Sequence, residues 1–156
     1  MPVAETLPDH VRQALADYTE ITTIPVQWGD EDAFGHVNNV VYFRWFESAR
    51  IDLLLRFPTS LRMEKSGVGP ILASIKCDYR QQLTFPDTVH IGSRVSRIGR
   101  SSFDVVHQIY SEQQQVVVSE GHAVIVVFDY QTQRPARVPQ ELRDQLNEAC
   151  PDSTPL

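Results

Sequence analysis

From Asn39 to about Phe57 the chain concentrates its large apolar residues in one continuous segment. Tyr42, Trp45, Phe46, Ala49, Leu53 and Phe57 follow the three-or-four spacing of a single helix face. Val41, Phe43, Ile51, Leu54 and Leu55 widen that stripe well beyond what a surface helix carries. A helix apolar over so wide an arc must be wrapped by other elements. Pro58 ends it, because the residue before a proline is pushed out of helical geometry.

The wrapping elements read as strands. Ile71, Ala73, Ile75, Cys77 and Tyr79 alternate with Leu72, Ser74, Lys76, Asp78 and Arg80; Val89, Ile91, Ser93 and Val95 alternate with His90, Gly92 and Arg94; Phe103, Val105, His107 and Ile109 alternate with Asp104, Val106, Gln108 and Tyr110. Val116 to Tyr130 is a longer strand in which Gly121 predicts a bulge. Ile21 to Trp28 is a strand ahead of the helix, and Pro25 assigns it to an edge or a bulge. The turns at Ile98 to Ser101 and Ser111 to Gln115 are short enough to make antiparallel neighbours. A short leading helix over His10 to Tyr18 and a closing helix after Pro139, with Leu142, Leu146 and Ala149 inward, complete the reading. Pro151 to Leu156 is expected to fray. The fold class is α+β: one curved antiparallel sheet of about five strands around one long helix, in a single domain over 1–156 with its core at about 21–146.

Composition excludes several partners. Lys and Arg total 14 against 20 for Asp and Glu, a net charge of −6, which repels a nucleic-acid backbone. Cys77 and Cys150 stand far apart without a CxxC or Cys/His cluster, so neither a disulfide framework nor a structural zinc is expected. Glu5, Asp9, His10 and Asp17 interrupt what a secretory signal would need as an apolar stretch, and the expected location is the cytoplasm. No run approaches the ~18 apolar residues of a membrane span, so no membrane partner is expected.

One segment does not read as scaffolding: Trp28-Gly29-Asp30-Glu31-Asp32-Ala33-Phe34-Gly35-His36-Val37-Asn38-Asn39. It sets acids, a histidine and two asparagines directly before the buried helix, whose first amides have no internal partners. Those amides and the helix dipole favour an oxygen that becomes anionic in a reaction. A carboxylate a few residues upstream could attack beside that spot or activate water there. Acyl transfer needs little more.

Asp30 to Tyr42, followed by Phe46-Glu47-Ser48-Ala49-Arg50, resembles the signature of the 4-hydroxybenzoyl-CoA thioesterase family of hotdog-fold acyl-CoA thioesterases. The resemblance continues through Cys77 to Leu83, Gly99 to Phe103 and Phe128 to Pro135, covering about Ile21 to Leu146. It implies a hotdog fold and hydrolysis of the thioester of an acyl-CoA or a related acyl carrier, with coenzyme A, where it is the carrier, as part of the substrate and no separate cofactor. It implies that Asp32 is the catalytic carboxylate, as nucleophile or general base, and that the backbone amide of Asn39 polarises the carbonyl. It places the coenzyme's phosphates near Arg100, Ser101 and Ser102, often on a neighbouring subunit. It also implies a homodimer, or a dimer of dimers, with sites at the interface.

Each of these residues has a plainer reading. Asp30 and Asp32 are common turn residues. His36 is a supporting proton donor, a metal ligand with Asp30 and Asp32, or a packed residue that shapes the loop; a lone histidine with two carboxylates is poor in ligands for a site that normally gathers three or four donors, and no metal is expected. Asn38 is a good N-cap as well as a substrate contact. Tyr42 is a core aromatic or part of the acyl wall. Glu47 pairs with Arg50 or faces a partner's site. Arg80 is a surface charge, and Cys77 a core residue. Two other functions compete: a module that binds acyl-CoA or acyl carrier protein without turnover, and a hotdog hydratase. The hydratases resemble D-x-N-P-x-H, which this chain lacks.

Overall fold

The computed structural model describes residues 6–57 and 67–149. Pro58, Cys150 and the segment Pro151 to Leu156 lie outside the described residues. The elements in chain order are α1 (Asp9–Ala14), β1 (Glu20–Pro25), a 3-10 turn (Trp28–Asp30), α2 (Asn39–Leu55), β2 (Val68–Tyr79), β3 (Thr88–Ile98), β4 (Ser102–Ser111), β5 (Val116–Asp129), β6 (Arg134–Pro135) and α3 (Gln140–Ala149).

The sheet is antiparallel with order β1-β3-β4-β5-β2, and β6 adds two residues to the end of β5. The hairpins β3-β4 and β4-β5 follow from the short turns, as expected. β2 comes first of these strands in sequence but pairs with β5, which makes it an edge strand. β1 is the other edge, where Pro25 costs no ladder bond. The strand ahead of the helix is shorter than its β-branched residues suggest: it stops at Pro25, and Trp28 lies in the 3-10 turn.

α2 packs into the concave face of the sheet. Tyr42, Trp45, Phe46, Ala49, Leu53 and Leu54 are buried against Val89, Ile91, Val95, Phe103, Val105, Ile109, Ala123 and Ile125 in two adjoining clusters. Burial of each large side chain stabilises the fold by roughly 1.5–3 kcal/mol, so this helix anchors the domain. Its wrapping is incomplete: Val40, Ile51 and Leu55 remain exposed on an open flank. Gly121 is not a bulge. The β4-β5 register shifts nearer the hairpin, between Ile109 and Tyr110, whereas Gly121 lies under the ring of Phe46 and leaves it room.

The leading helix is shorter than the expected His10 to Tyr18, but Val11 and Leu15 are buried against Tyr110, on the outer face of the sheet. Leu142 and Leu146 of α3 close the core beside Val95, Ile98 and Phe103.

Candidate active site

The loop between β1 and α2 holds three consecutive acids in three different environments. Asp30 is buried; its carboxylate accepts from the Gln27 N–H at 2.8 Å and from the Arg44 guanidinium at 2.9 Å. Its carbonyl accepts from the Asn38 N–H at 2.9 Å, which ties the 3-10 turn to the start of α2. Glu31 accepts from the Phe85 N–H at 2.5 Å and pins the loop to the segment before β3. Asp32 is exposed, and one of its oxygens accepts from the Phe34 N–H at 2.9 Å. Two acids are committed to shaping the loop; the third keeps an oxygen without a partner among the described residues.

Asp32 and His36 face each other across a small hairpin. The Asp32 N–H donates to the His36 carbonyl at 3.0 Å, and the Gly35 N–H donates to the Asp32 carbonyl at 3.0 Å. Gly35 takes φ +78°, a conformation that residues with a Cβ rarely adopt. The next rung joins Glu31 to Val37, and the Val37 N–H donates to the Leu83 carbonyl at 2.8 Å.

Asn38 caps α2 as its sequence position suggests: its side chain accepts from the Val40 N–H at 3.3 Å, and its carbonyl from the Val41 N–H at 3.0 Å. The N–H of Asn39, first in the helix, has no acceptor among the described residues. Asn39 lines a cleft of about 210 Å³ together with His36, Val37, Tyr42, Tyr79, Arg80, Gln81 and Gln82. Tyr42 and Tyr79 form its aromatic wall, edge to face with centroids 4.9 Å apart. Burial raises the hydroxyl pKa of Tyr42, and burial together with the neighbouring Cys77 pushes that of Tyr79 up to about 12. Both phenols remain protonated donors at neutral pH. The Cys77 thiol is also pushed up by burial, away from the thiolate a nucleophile needs.

Tyr79, Arg80, Gln81 and Gln82 were not singled out from the sequence as site residues. The available signal was the break of strand alternation after Tyr79 into three long polar side chains. Arg80 is more than a free surface charge: it pairs with Glu120 at 2.8 Å at the cleft wall.

The remaining expected contacts lie elsewhere. Glu47 is exposed on α2, and no ion pair within 4 Å joins it to Arg50 among the described residues; its charge only acts on the half-buried guanidinium from a distance. Arg100, Ser101 and Ser102 sit at the β3-β4 turn, at the far end of β3 from the Asn39 cleft. At ~3.3 Å per residue the eleven residues of β3 separate the two regions by roughly 30 Å. A single chain therefore does not bring these residues together with Asp32. Arg100 instead lines a second cleft of about 700 Å³ with Arg137 and Arg143, beside the N-terminus of α3. Arg143 is held there by the Gly99 carbonyl at 2.8 Å.

The family model of the thioesterase-like superfamily matches residues 26–146. The chain belongs to that superfamily, with the hotdog fold of its solved members, and is a thioester hydrolase by class. Among individual relatives, it is 27% identical to the long-chain acyl-CoA thioesterase FadM of Escherichia coli, over 81% of this chain and 96% of that one. Its structure resembles that of the PA5185 protein of Pseudomonas aeruginosa, with 31% identity, a TM-score of 0.76, and coverage of 90% and 97% of the two chains. It also resembles a thioesterase of Thermus thermophilus solved with coenzyme A and zinc, with 26% identity, a TM-score of 0.73, and coverage of 85% and 95%. No helix among the described residues is long and apolar enough to cross a membrane.

Proposed function

We propose that the protein hydrolyses an acyl-CoA to the free acid and coenzyme A. The observation that carries this reading is the Asn39 amide at the N-terminus of α2, without an acceptor among the described residues, in a residue that lines a cleft whose rim at His36 pairs with Asp32. The amide holds the thioester oxygen as it gains charge. Asp32 either takes a proton from attacking water, so that the hydroxyl adds to the carbonyl carbon and the free acid forms as the C–S bond breaks, or attacks that carbon itself, leaving a mixed anhydride that water then hydrolyses to the free acid and the regenerated carboxylate. In both the departing thiolate is protonated, with His36 at the rim as a nearby donor. Asn38 and Tyr42 border the acyl group.

Coenzyme A is favoured as the carrier by the arginine cleft. Arg100, Arg137 and Arg143 suit a nucleotide's phosphates, with Ser101 and Ser102 beside them on the same turn. The naming of the Escherichia coli relative as an acyl-CoA thioesterase and the coenzyme A bound to the Thermus thermophilus one support the same choice.

The distance between the two clefts is resolved in a homodimer. β2 is a sheet edge; its Tyr79 end lies at the Asn39 cleft, and its Val68 end pairs with Asp129, close to the Ser101 carbonyl that accepts from Val127. Antiparallel pairing of two β2 edges places one chain's arginine cleft toward the other chain's Asn39 cleft. The exposed Val40, Ile51, Leu55, Ile71 and Leu72 lie on this flank of α2 and on β2, and Glu47 then faces the partner.

The test is thiol release from short, long and aromatic acyl-CoAs, by wild type and Asp32→Asn. Turnover of at least one class, with a loss of more than about tenfold, or ~1.4 kcal/mol, in the variant is the expected result. Binding of an inert acyl-CoA analogue without turnover would identify a binding module instead.

A further inference from the structure

The Asn39 carbonyl has one more partner than the helix requires. Within α2 it is the acceptor for the Phe43 N–H, four residues on. The hydroxyl of Tyr79 nevertheless donates to it at 2.8 Å, from the last residue of an edge strand forty positions away. No buried acceptor needs this bond. What it does is tie together two residues that line the cleft, one from each wall, in the first turn of the helix that carries the free amide.

The local geometry gives the bond a consequence. Two peptide planes meet at Asn39. The plane carrying its N–H is oriented by the Val41 N–H on the Asn38 carbonyl, at 3.0 Å. The plane carrying its C=O is held at its N–H end by the long 3.3 Å bond between the Val40 N–H and the Asn38 side chain, and at its carbonyl end by the helical bond from the Phe43 N–H. The Tyr79 hydroxyl adds a second donor at the carbonyl end, and the only one from outside the helix among the described residues. Donation to that carbonyl also strengthens the Val40 N–H of the same peptide as a donor, because hydrogen bonds in a chain polarise one another. The Tyr79 ring is itself kept in place, edge to face with the buried Tyr42 at 4.9 Å.

We infer that Tyr79 is a positioning residue for the thioesterase reaction, its hydroxyl clamping the first turn of α2 so that the helix-start amides stay aimed at the carbonyl oxygen bound in the cleft. This rests on the reading of the Asn39 cleft as the acyl site. The role is realised in the transition state, where the oxygen carries charge, so its loss appears in kcat and not in KM.

The experiment compares wild type, Tyr79→Phe and Tyr110→Phe with the acyl-CoA that wild type turns over fastest. Tyr110→Phe is the control: it removes a hydroxyl bound to His10 at 3.0 Å on the outer face of the sheet. Tyr79→Phe is expected to lower kcat by about tenfold, below the loss for removing an oxyanion donor itself, with KM within about twofold. Tm should stay with the control. A second readout is the infrared carbonyl stretch of a ketone analogue, with CH2 in place of the thioester sulfur, bound to each protein. Its shift to lower frequency on binding wild type should shrink in Tyr79→Phe and persist in Tyr110→Phe. Equal kcat and an unchanged stretch in Tyr79→Phe overturn the inference. So does a parallel loss of Tm and activity with the stretch unmoved, which marks a purely structural bond. Absence of turnover and of analogue binding in wild type fails the acyl-site reading itself, and the inference with it.

Discussion

Phe46 occupies the space that Gly121 leaves open: a Cβ at Gly121 would lie 2.7 Å from the Phe46 Cζ atom. The ring also stacks on buried His107, 5.1 Å between centroids, so it has no free direction in which to move. Gly121→Ala is expected to destabilise the fold by about 1–3 kcal/mol through overpacking. In urea titrations, adding Phe46→Leu to Gly121→Ala should recover part of that loss; strictly additive losses would show that the contact is not the cause.

Asp30 and Arg44 contribute unequally to the active-site loop. Asp30→Ala leaves the Gln27 N–H without its acceptor and removes the tie to Arg44, an expected cost of about 2 kcal/mol. Arg44→Ala removes only the more exposed partner and should cost less than about 1 kcal/mol. Thermal unfolding of the two variants checks the order.

The arginine cleft should read the carrier and not the acyl group. Arg137→Ala is expected to raise KM for an acyl-CoA by about three- to tenfold with kcat retained, and the effect should weaken as salt is added. For a thioester of pantetheine, which lacks the nucleotide, wild type and variant should not differ. Steady-state kinetics at low and high ionic strength test both statements.

His107 makes stability depend on pH. Its Nδ1 bonds the Ser93 hydroxyl at 2.7 Å, while Nε2 has no hydrogen-bond partner among the described residues. Burial, then the charge of Arg50, holds the ring's pKa down at about 3, against 6.5 ordinarily. The unfolded chain takes up a proton below about 6.5 that the folded ring refuses. This contribution is therefore complete above that pH and is lost as pH falls toward 3, by at most ~1.4 kcal/mol per unit. Urea midpoints between pH 7 and pH 4.5 should fall less steeply for His107→Asn than for wild type.

The helix and the strand pattern were legible because both are local periodicities. Val41 to Leu55 repeats every three or four residues and Val89 to Val95 every two, and in each case the core face is set by which residues must leave water. The cap at Asn38 and the edge position of the strand that carries Pro25 were legible for the same reason, since capping and the missing proline N–H act within a few residues; the end of that strand at Pro25 was not, because its apolar pattern runs on to Trp28. The acidic loop was visible as an interruption of those patterns. The division of labour within it was not: Asp30, Glu31 and Asp32 are chemically alike, and only the approach of Arg44 and of the Phe85 backbone separates the two structural acids from the exposed one.

By itself the sequence determined the elements, the central place of α2 and the segment bearing the chemistry, because each depends on side chains close along the chain. Tertiary structure alone decided that β2 pairs with β5 and becomes an edge, that Gly121 accommodates Phe46, that Tyr79 reaches Asn39, and that Arg100 lies with Arg137 and Arg143 far from Asp32. These relationships join residues separated by roughly forty to seventy-five positions. They arise from how a twisted sheet closes around a helix, which no local pattern records.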